Sequence, residues 1–148
     1  MAIKKATPQD LDPIVSLELQ CFPNEAWSRA VFREDLARAD SLYLLAYENG
    51  AAAGYIAAGF DGGAQYAHIS SLAVDPAHQR QGIGTALLEE MLRQLDGMGI
   101  HQIRAETRLS NDHVQKLFLE HGFQEQMIIG SYYQHPVEDA VLLLKGPD

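Results

Sequence analysis

Apolar residues recur along this chain with two different spacings. Leu11, Ile14, Val15 and Leu19 follow one another at helical spacing, which predicts a helix with one buried face. The same spacing returns between residues 83 and 95, where charged residues occupy the opposite face. Between these two regions, and again beyond residue 100, short apolar runs are bounded by Gly, Asn and Asp, which is typical of strands joined by turns.

These patterns predict an α/β fold with the element order β-α-α-β-β-β-α-β-α-β-β. Thr7 and Ser28 are suited to cap the first two helices, and the Asn49-Gly50 pair predicts a hairpin turn. The predicted ranges are, in chain order, strand 3–6, helices 8–20 and 28–38, strands 42–47, 51–60 and 66–74, a helix from 83 that ends at Gly97 or Gly99, strand 100–107, helix 111–121, and strands 123–131 and 140–145. Hairpins that precede a central β-α-β unit indicate a mixed, mostly antiparallel twisted sheet with helices on both faces.

The composition is that of one globular domain spanning residues 1–148. Hydrophobic residues make up 47% of the 148 residues, enough for one sizeable core. The apolar runs are too short to span a bilayer and the first residues lack a signal region, so we expect a cytoplasmic protein that binds no membrane. Cys21 is the one cysteine and can form no internal disulfide, so we expect it to be a buried structural thiol.

Charge and histidine placement argue against two further classes of function. The formal net charge of -9 disfavours a nucleic-acid binder, because such proteins depend on clustered Lys and Arg, and it favours a cationic or amine-bearing partner. The six histidines form no i, i+4 pair on a helix and no second cysteine is present, so we expect no metal site.

A glycine-containing loop joins the strand at 66–74 to the helix at 83. Its sequence is Gln79-Arg80-Gln81-Gly82-Ile83-Gly84-Thr85. Gly82 and Gly84 remove side chains where the chain must curl, so successive N–H groups and the positive helix end can converge on an anionic phosphate. The loop fits neither a nucleoside-triphosphate motif, since no Lys-Ser or Lys-Thr follows, nor a dinucleotide motif, since Leu87 replaces the third glycine. A turn that merely caps a helix is the alternative interpretation.

The surroundings of this loop closely resemble the acetyl-coenzyme A loop of the GCN5-related N-acetyltransferase superfamily. Leu72-Ala73-Val74-Asp75-Pro76 precedes the Gln-x-x-Gly-x-Gly motif, and a helix from Ser110-Asn111 ends in Gly122-Phe123, as in that superfamily. The predicted element order is also that of the superfamily. Further pairs of motifs resemble the RimI family of ribosomal-protein N-terminal acetyltransferases: Cys21-Phe22 with Trp27-Ser28, Glu106-Thr107-Arg108 with Ser110-Asn111, and Ser131-Tyr132-Tyr133 with Glu138-Asp139-Ala140.

The resemblance implies acetyl-coenzyme A as the cosubstrate, with its pyrophosphate on the 79–85 loop. It implies that Leu72, Ala73 and Val74 diverge from the neighbouring strand, pair with the pantetheine arm and polarise the acetyl carbonyl. An ordinary buried strand is the alternative. Asn111 would contact the coenzyme A arm, or else simply cap the helix that follows.

The resemblance also makes Glu106 the proton acceptor for the amine, through a water molecule. Glu106 shares a strand face with Gln102 and Arg104, and a solvated surface carboxylate is the alternative interpretation. Phe118 stands where the superfamily usually has a tyrosine that protonates the leaving thiolate, and phenylalanine has no proton to give. We expect Phe118 to pack beside the cofactor, and protonation falls to water, to Tyr132 or Tyr133, or to a later step after an unprotonated thiolate has left.

Two aromatic segments are predicted to form the channel for the amine acceptor. Resemblance places Tyr132 and Tyr133 on one wall, and Phe22, Glu25 and Trp27 on the other. Core packing is the alternative for each aromatic residue.

The favoured function is acetylation of a protein N-terminus by a monomer or homodimer. An α-amine with a pKa of about 8 is roughly a tenth neutral at pH 7, whereas a lysine is neutral in less than about a thousandth of molecules, so a weak base suffices for an N-terminus. The alternatives are transfer to lysine, a polyamine, an amino acid or an aminoglycoside, and an acetyl-coenzyme A sensor without catalysis.

Overall fold

The computed structural model describes residues 1–24, 26–61, 63 and 65–146. Within them the predicted element order is confirmed. The elements are β1 (Ala2–Lys5), α1 (Leu11–Cys21), α2 (Arg29–Leu36), β2 (Ser41–Glu48), β3 (Ala51–Asp61), β4 (Tyr66–Val74), α3 (Ile83–Gly97), β5 (Gln102–Arg108), α4 (Asp112–Glu120), β6 (Gln124–Gln134) and β7 (Val137–Lys145). Among the described residues, no helix is long and apolar enough to cross a membrane.

The strands form one mixed sheet in the order β1-β2-β3-β4-β5-β7-β6. Within the described residues β4 and β5 pair in parallel and the other neighbours pair antiparallel, as the hairpin and β-α-β patterns predict. Successive strand residues point to opposite faces, so Leu44 and Leu45 enter different cores. One core contains α3 and Phe118 of α4, and the other contains α1 and Phe32 of α2, which confirms helices on both faces.

The first helical segment differs in two details from the prediction. A 3-10 turn occupies Pro8–Asp10, and the α-helix starts only at Leu11. The Asp10 carboxylate accepts a 2.8 Å hydrogen bond from the Thr7 backbone N–H, which fixes this tighter first turn. The expected burial of Leu19 is wrong: Leu19 is 54% exposed, while Leu17 is 2% exposed, because the face of α1 that meets β3 runs through Ile14 and Leu17.

The strands β5 and β7 begin at residues other than the predicted ones. The chain enters β5 two residues later than predicted, because the Ile100 N–H bonds to the Leu95 carbonyl at 2.9 Å and Gly99 adopts a left-handed φ of 78°. The turn that ends α3 therefore includes residues that the pattern alone assigns to a strand. β7 begins at Val137 rather than at the predicted residue 140, because Val137 pairs with Gln134 across the β6–β7 hairpin.

Gly54 lies where β3 passes closely over β4 and α3. A Cβ at this position would lie 2.8 Å from the Ala73 carbonyl oxygen and 3.2 Å from side-chain carbons of Ile83 and Leu87. We expect Gly54→Ala to lower the free energy of unfolding by about 1 to 3 kcal/mol, because a backbone oxygen must move. Denaturant unfolding measures the change.

Gly59→Ala is the matched control on the same strand, since the nearest atom to its added Cβ lies 3.9 Å away. Equal unfolding free energies for the two variants would contradict the close approach at Gly54.

Candidate active site

A cleft opens in the middle of the sheet where β4 and β5 separate. Their parallel pairing ends at the Ile69–Ala105 pair, although both strands continue. The register between β3 and β4 skips Ser70, which forms a bulge at this point. The cleft has a volume of about 200 Å³ and is lined by residues 69–72 and 105–108. The divergence that the resemblance implies around 72–74 is therefore present and begins at the bulge.

The carboxylate of Glu106 is the centre of a hydrogen-bond network at this cleft. Its side chain is 5% exposed. Arg104 Nε donates to Oε2 at 2.9 Å, the Tyr132 hydroxyl donates to Oε1 at 2.7 Å, and His68 Nε2 lies 2.9 Å from Oε1. Strand alternation correctly placed Arg104 and Glu106 on one face, but burial and partners distinguish Glu106 from a solvated surface carboxylate.

These contacts determine the protonation state of Glu106. Burial alone would raise its pKa, but the hydrogen bonds from His68, Tyr132 and Arg104 outweigh burial and lower the pKa to about 2. The carboxylate is therefore ionised at every pH at which the protein is expected to act. Tyr132 responds in the opposite sense, since burial and its bond to Glu106 raise the pKa of the phenol to about 12.

His68 belongs to this network, and the sequence reasoning missed its role. It contacts both oxygens of a carboxylate 38 residues away, and its side chain is 39% exposed. The sequence did indicate His68 in one way: it is a polar residue in a mostly apolar strand, and that strand was expected to lie beside the strand that carries Glu106.

The loop before α3 has the backbone shape expected of an anion site. Arg80 and Gly82 adopt left-handed φ angles of 66° and 78°, and α3 begins immediately afterwards. The first N–H groups of a 15-residue helix such as α3 lack intrahelical partners and can bind an anion. Gln79, Arg80, Gln81 and Gly82 are exposed, so a ligand can reach them.

The residues around this turn do not all present side chains to a ligand. Ile83 and Ala73 are 1% and 2% exposed with their side chains in the cores, so backbone groups alone remain for binding. Thr85 is half-buried. Gly84 is not required for the curl, since an added Cβ would make ordinary 3.7 Å contacts with Leu117 and Val74.

The start and middle of α4 form another side of the cleft. The Asn111 side chain accepts a 3.3 Å bond from the Val114 N–H, so its capping role is observed, and it also lines the cleft. Phe118 lines the cleft while packing edge-on against Phe123, with ring centroids 4.8 Å apart.

The two predicted aromatic walls meet at the cleft. Phe22, Trp27 and Tyr133 line it, with Tyr132 reaching Glu106 from beside Tyr133. Trp27 is 41% exposed, so core packing does not account for it. The predicted role of Glu25 lies outside the described residues.

Glu18 is a second buried carboxyl at the cleft that the sequence reasoning missed. It is 5% exposed, and it accepts a 2.6 Å bond from the Tyr55 hydroxyl as well as a bond from the Trp27 backbone. Burial raises its pKa, against these bonds. Its contacts anchor the connector between α1 and α2 to the sheet. Cys21 anchors the same connector through a 3.3 Å bond to the Val74 carbonyl, and burial raises the pKa of its thiol to about 11.

Two segments that are far apart in the chain, residues 108–110 and 133–138, meet beside the cleft. Arg108 Nη1 donates to Glu138 Oε1 at 3.1 Å, and Glu138 Oε2 accepts the Ser110 N–H at 2.7 Å. The Arg108 guanidinium lies 4.4 Å from the Tyr133 ring centroid. These contacts fix the β6–β7 hairpin against the end of β5 and so position Tyr133.

This chain is similar to a known protein family, to individual proteins and to solved structures. The model of the acetyltransferase (GNAT) family matches residues 11–123. The [Ribosomal protein bS18]-alanine N-acetyltransferase of Escherichia coli K12 is 38% identical over 79 residues, which are 52% of this chain and 53% of that protein. The chain thus spans about half the length of the first curated relatives it matches.

Other relatives extend over nearly the whole chain. An N-alpha-acetyltransferase of Sulfurisphaera tokodaii is 28% identical and matches 95% of this chain and 90% of its own. The crystal structure of the ribosomal-protein-S18-alanine N-acetyltransferase from Escherichia coli superimposes with a TM-score of 0.88 at 28% identity, covering 97% of this chain and 92% of that one.

Proposed function

Since the chain belongs to the GNAT family of acetyltransferases, we propose that it transfers the acetyl group of acetyl-coenzyme A to the N-terminal α-amine of a protein or peptide. The observation that carries this proposal is the cleft between β4 and β5, where the ionised Glu106 network and the aromatic walls converge. The similarity to proteins whose names state N-terminal or alanine N-acetylation supports the choice of acceptor.

The fit of coenzyme A rests on two backbone features of this chain. The left-handed residues Arg80 and Gly82 and the start of α3 supply N–H groups for a pyrophosphate. Beyond Ile69, the β4 edge that faces β5 is released from pairing with it and can bond the amides of a pantetheine arm. Acetyl-coenzyme A supplies an activated thioester there, and the remaining chemistry falls to the protein's side chains.

Glu106 positions the amine and its departing proton, and His68 positions Glu106. The carboxylate attracts and orients the amine, directly or through water. Because a carboxyl group with a pKa of about 2 cannot retain a proton, the proton passes on to solvent, while His68 holds the carboxylate in place through its hydrogen bond. An α-amine suits so weak an acceptor, since roughly a tenth of it is already neutral at pH 7.

The walls of the cleft favour a peptide over a small amine. Flat apolar surfaces are provided by Tyr133, Trp27 and Phe22, and the Tyr133 hydroxyl can form a hydrogen bond with a peptide backbone. The net charge of -9 also favours acceptors that carry positive charge.

The dependence of kcat/KM on pH is expected to report the acceptor amine rather than Glu106. The pKa of Glu106 is lowered to about 2, so nearly all molecules carry the active carboxylate well above pH 2. The profile should therefore show no acidic limb near the ordinary pKa of a glutamate. With an N-terminal peptide, kcat/KM should rise up to about pH 8 and then level off. A limb between about pH 4 and 6 that disappears in Glu106→Gln would contradict this assignment.

Release of free thiol from acetyl-coenzyme A tests the proposed acceptor. Peptides of one sequence are compared with a free and a blocked N-terminus, alongside lysine peptides, polyamines and aminoglycosides. The proposal predicts turnover that requires the free α-amine. Turnover with another amine alone, or coenzyme A binding without any turnover, would overturn it.

A further inference from the structure

A buried hydroxyl at the cleft has no evident structural role. Thr107 is 4% exposed and lines the cleft, and its Oγ1 has no hydrogen-bond partner within the described residues of the chain. Burying a hydroxyl without a partner is unfavourable, and valine has nearly the same shape without that cost. An unsatisfied buried group at a ligand cleft points to a partner that arrives with the ligand.

The position of Thr107 narrows down what that partner is. It follows Glu106 on β5, and successive strand residues point to opposite faces. Glu106 faces Arg104 and Tyr132, while Thr107 lines the cleft together with Val114 and Phe118 of α4. The end of β5 therefore supplies the acceptor side with a carboxylate and the α4 side with a hydroxyl.

In the middle of α4, the Phe118 ring lines the cleft but carries no donor for the departing sulfur. We propose that the Thr107 hydroxyl donates a hydrogen bond to the sulfur of acetyl-coenzyme A as the carbon–sulfur bond breaks. This inference rests on the proposed acetyl transfer. The hydroxyl and methyl of threonine are similar in size and exchange places between staggered χ1 rotamers, so the hydroxyl can face the cleft once an acceptor arrives there.

The step keeps atoms and electrons in balance. The amine nitrogen bonds to the carbonyl carbon, and the carbon–sulfur bond breaks with its electron pair on sulfur. The proton lost by the amine leaves past Glu106 to solvent. Thr107 keeps its own proton and stabilises the thiolate, which takes a proton from solvent afterwards.

Thr107→Val and Thr107→Ser separate this role from packing. Valine keeps the shape and removes the donor, whereas serine keeps the donor. We expect Thr107→Val to lower kcat about tenfold at unchanged KM for acetyl-coenzyme A, and Thr107→Ser to stay near the original rate. Thr107→Val should melt no lower than the parent protein, because the unpaired hydroxyl is gone.

Calorimetric binding of coenzyme A and of desulfo-coenzyme A gives a readout independent of turnover. At about pH 9, where a thiol of pKa about 8.5 is largely ionised, the parent protein and Thr107→Ser should bind coenzyme A more tightly than the desulfo analogue. Thr107→Val should lose that difference.

Equal weakening of both ligands in Thr107→Val would assign the hydroxyl to a pantetheine amide and overturn the proposal. Unchanged binding and kcat would make Thr107 a packing residue. If the parent protein binds neither ligand, the proposed function itself fails, and this outcome differs from the other two.

Discussion

Replacing Glu106 by Gln is expected to lower kcat for acetyl transfer about a hundredfold, the usual range for a group that handles a proton. Glutamine keeps the size of the side chain but removes the negative charge that Arg104, His68 and Tyr132 surround. The affinity for coenzyme A should change by less than about twofold, because Glu106 lies on the acceptor side of the cleft. Steady-state kinetics and calorimetry measure the two quantities separately.

Glu125→Gln is the matched control for this experiment. Glu125 is an exposed carboxylate on β6 that does not line the cleft, so its loss should leave both kcat and affinity unchanged. If Glu106→Gln weakens coenzyme A binding as much as it lowers kcat, the carboxylate supports the fold of the cleft rather than the reaction.

Gly82→Glu is expected to weaken coenzyme A binding by about a hundredfold or more, since like charges near 4 Å repel by several kcal/mol at a protein surface. An added Cβ at this exposed turn meets nothing within 4 Å, so the new carboxylate occupies open space where the pyrophosphate is expected. Calorimetric titration with coenzyme A measures the effect.

Gly82→Ala controls for the backbone. At a φ of 78° any side chain is strained, which costs about 1 to 2 kcal/mol of stability without adding charge. Gly82→Ala should therefore bind coenzyme A nearly as well as the parent protein. Unimpaired binding by Gly82→Glu would refute the phosphate role of this loop.

Local pattern predicted most of the fold. The bounds of β4 and the start of α3 agree with prediction, because alternation and helical spacing are properties of a few neighbouring residues. Leu19 shows the limit, since which stripe of an amphipathic helix is buried depends on the sheet it meets. The late start of β5 shows a second limit. Ile100 favours a strand, but its N–H bonds to the Leu95 carbonyl at the end of α3.

The sequence offered candidates for the site where a motif or a resemblance named a residue. Glu106 and Tyr132 were assigned roles from the sequence, but their direct hydrogen bond emerged only from the β6–β7 hairpin geometry. His68, Glu18 and Thr107 were missed because their significance lies in the register of strands and in burial, which sequence spacing does not encode. The low pKa of Glu106 likewise depends on partners drawn from other strands.

We propose above all that this chain transfers acetyl to an α-amine at the cleft between β4 and β5. A peptide with a free N-terminal alanine and one internal lysine, incubated with the protein and acetyl-coenzyme A, tests it most directly when mass spectrometry maps the product. We expect acetyl on the α-amine, in an amount that Glu106→Gln strongly reduces. Acetyl on the lysine side chain, or no product from a protein that binds coenzyme A, would contradict it.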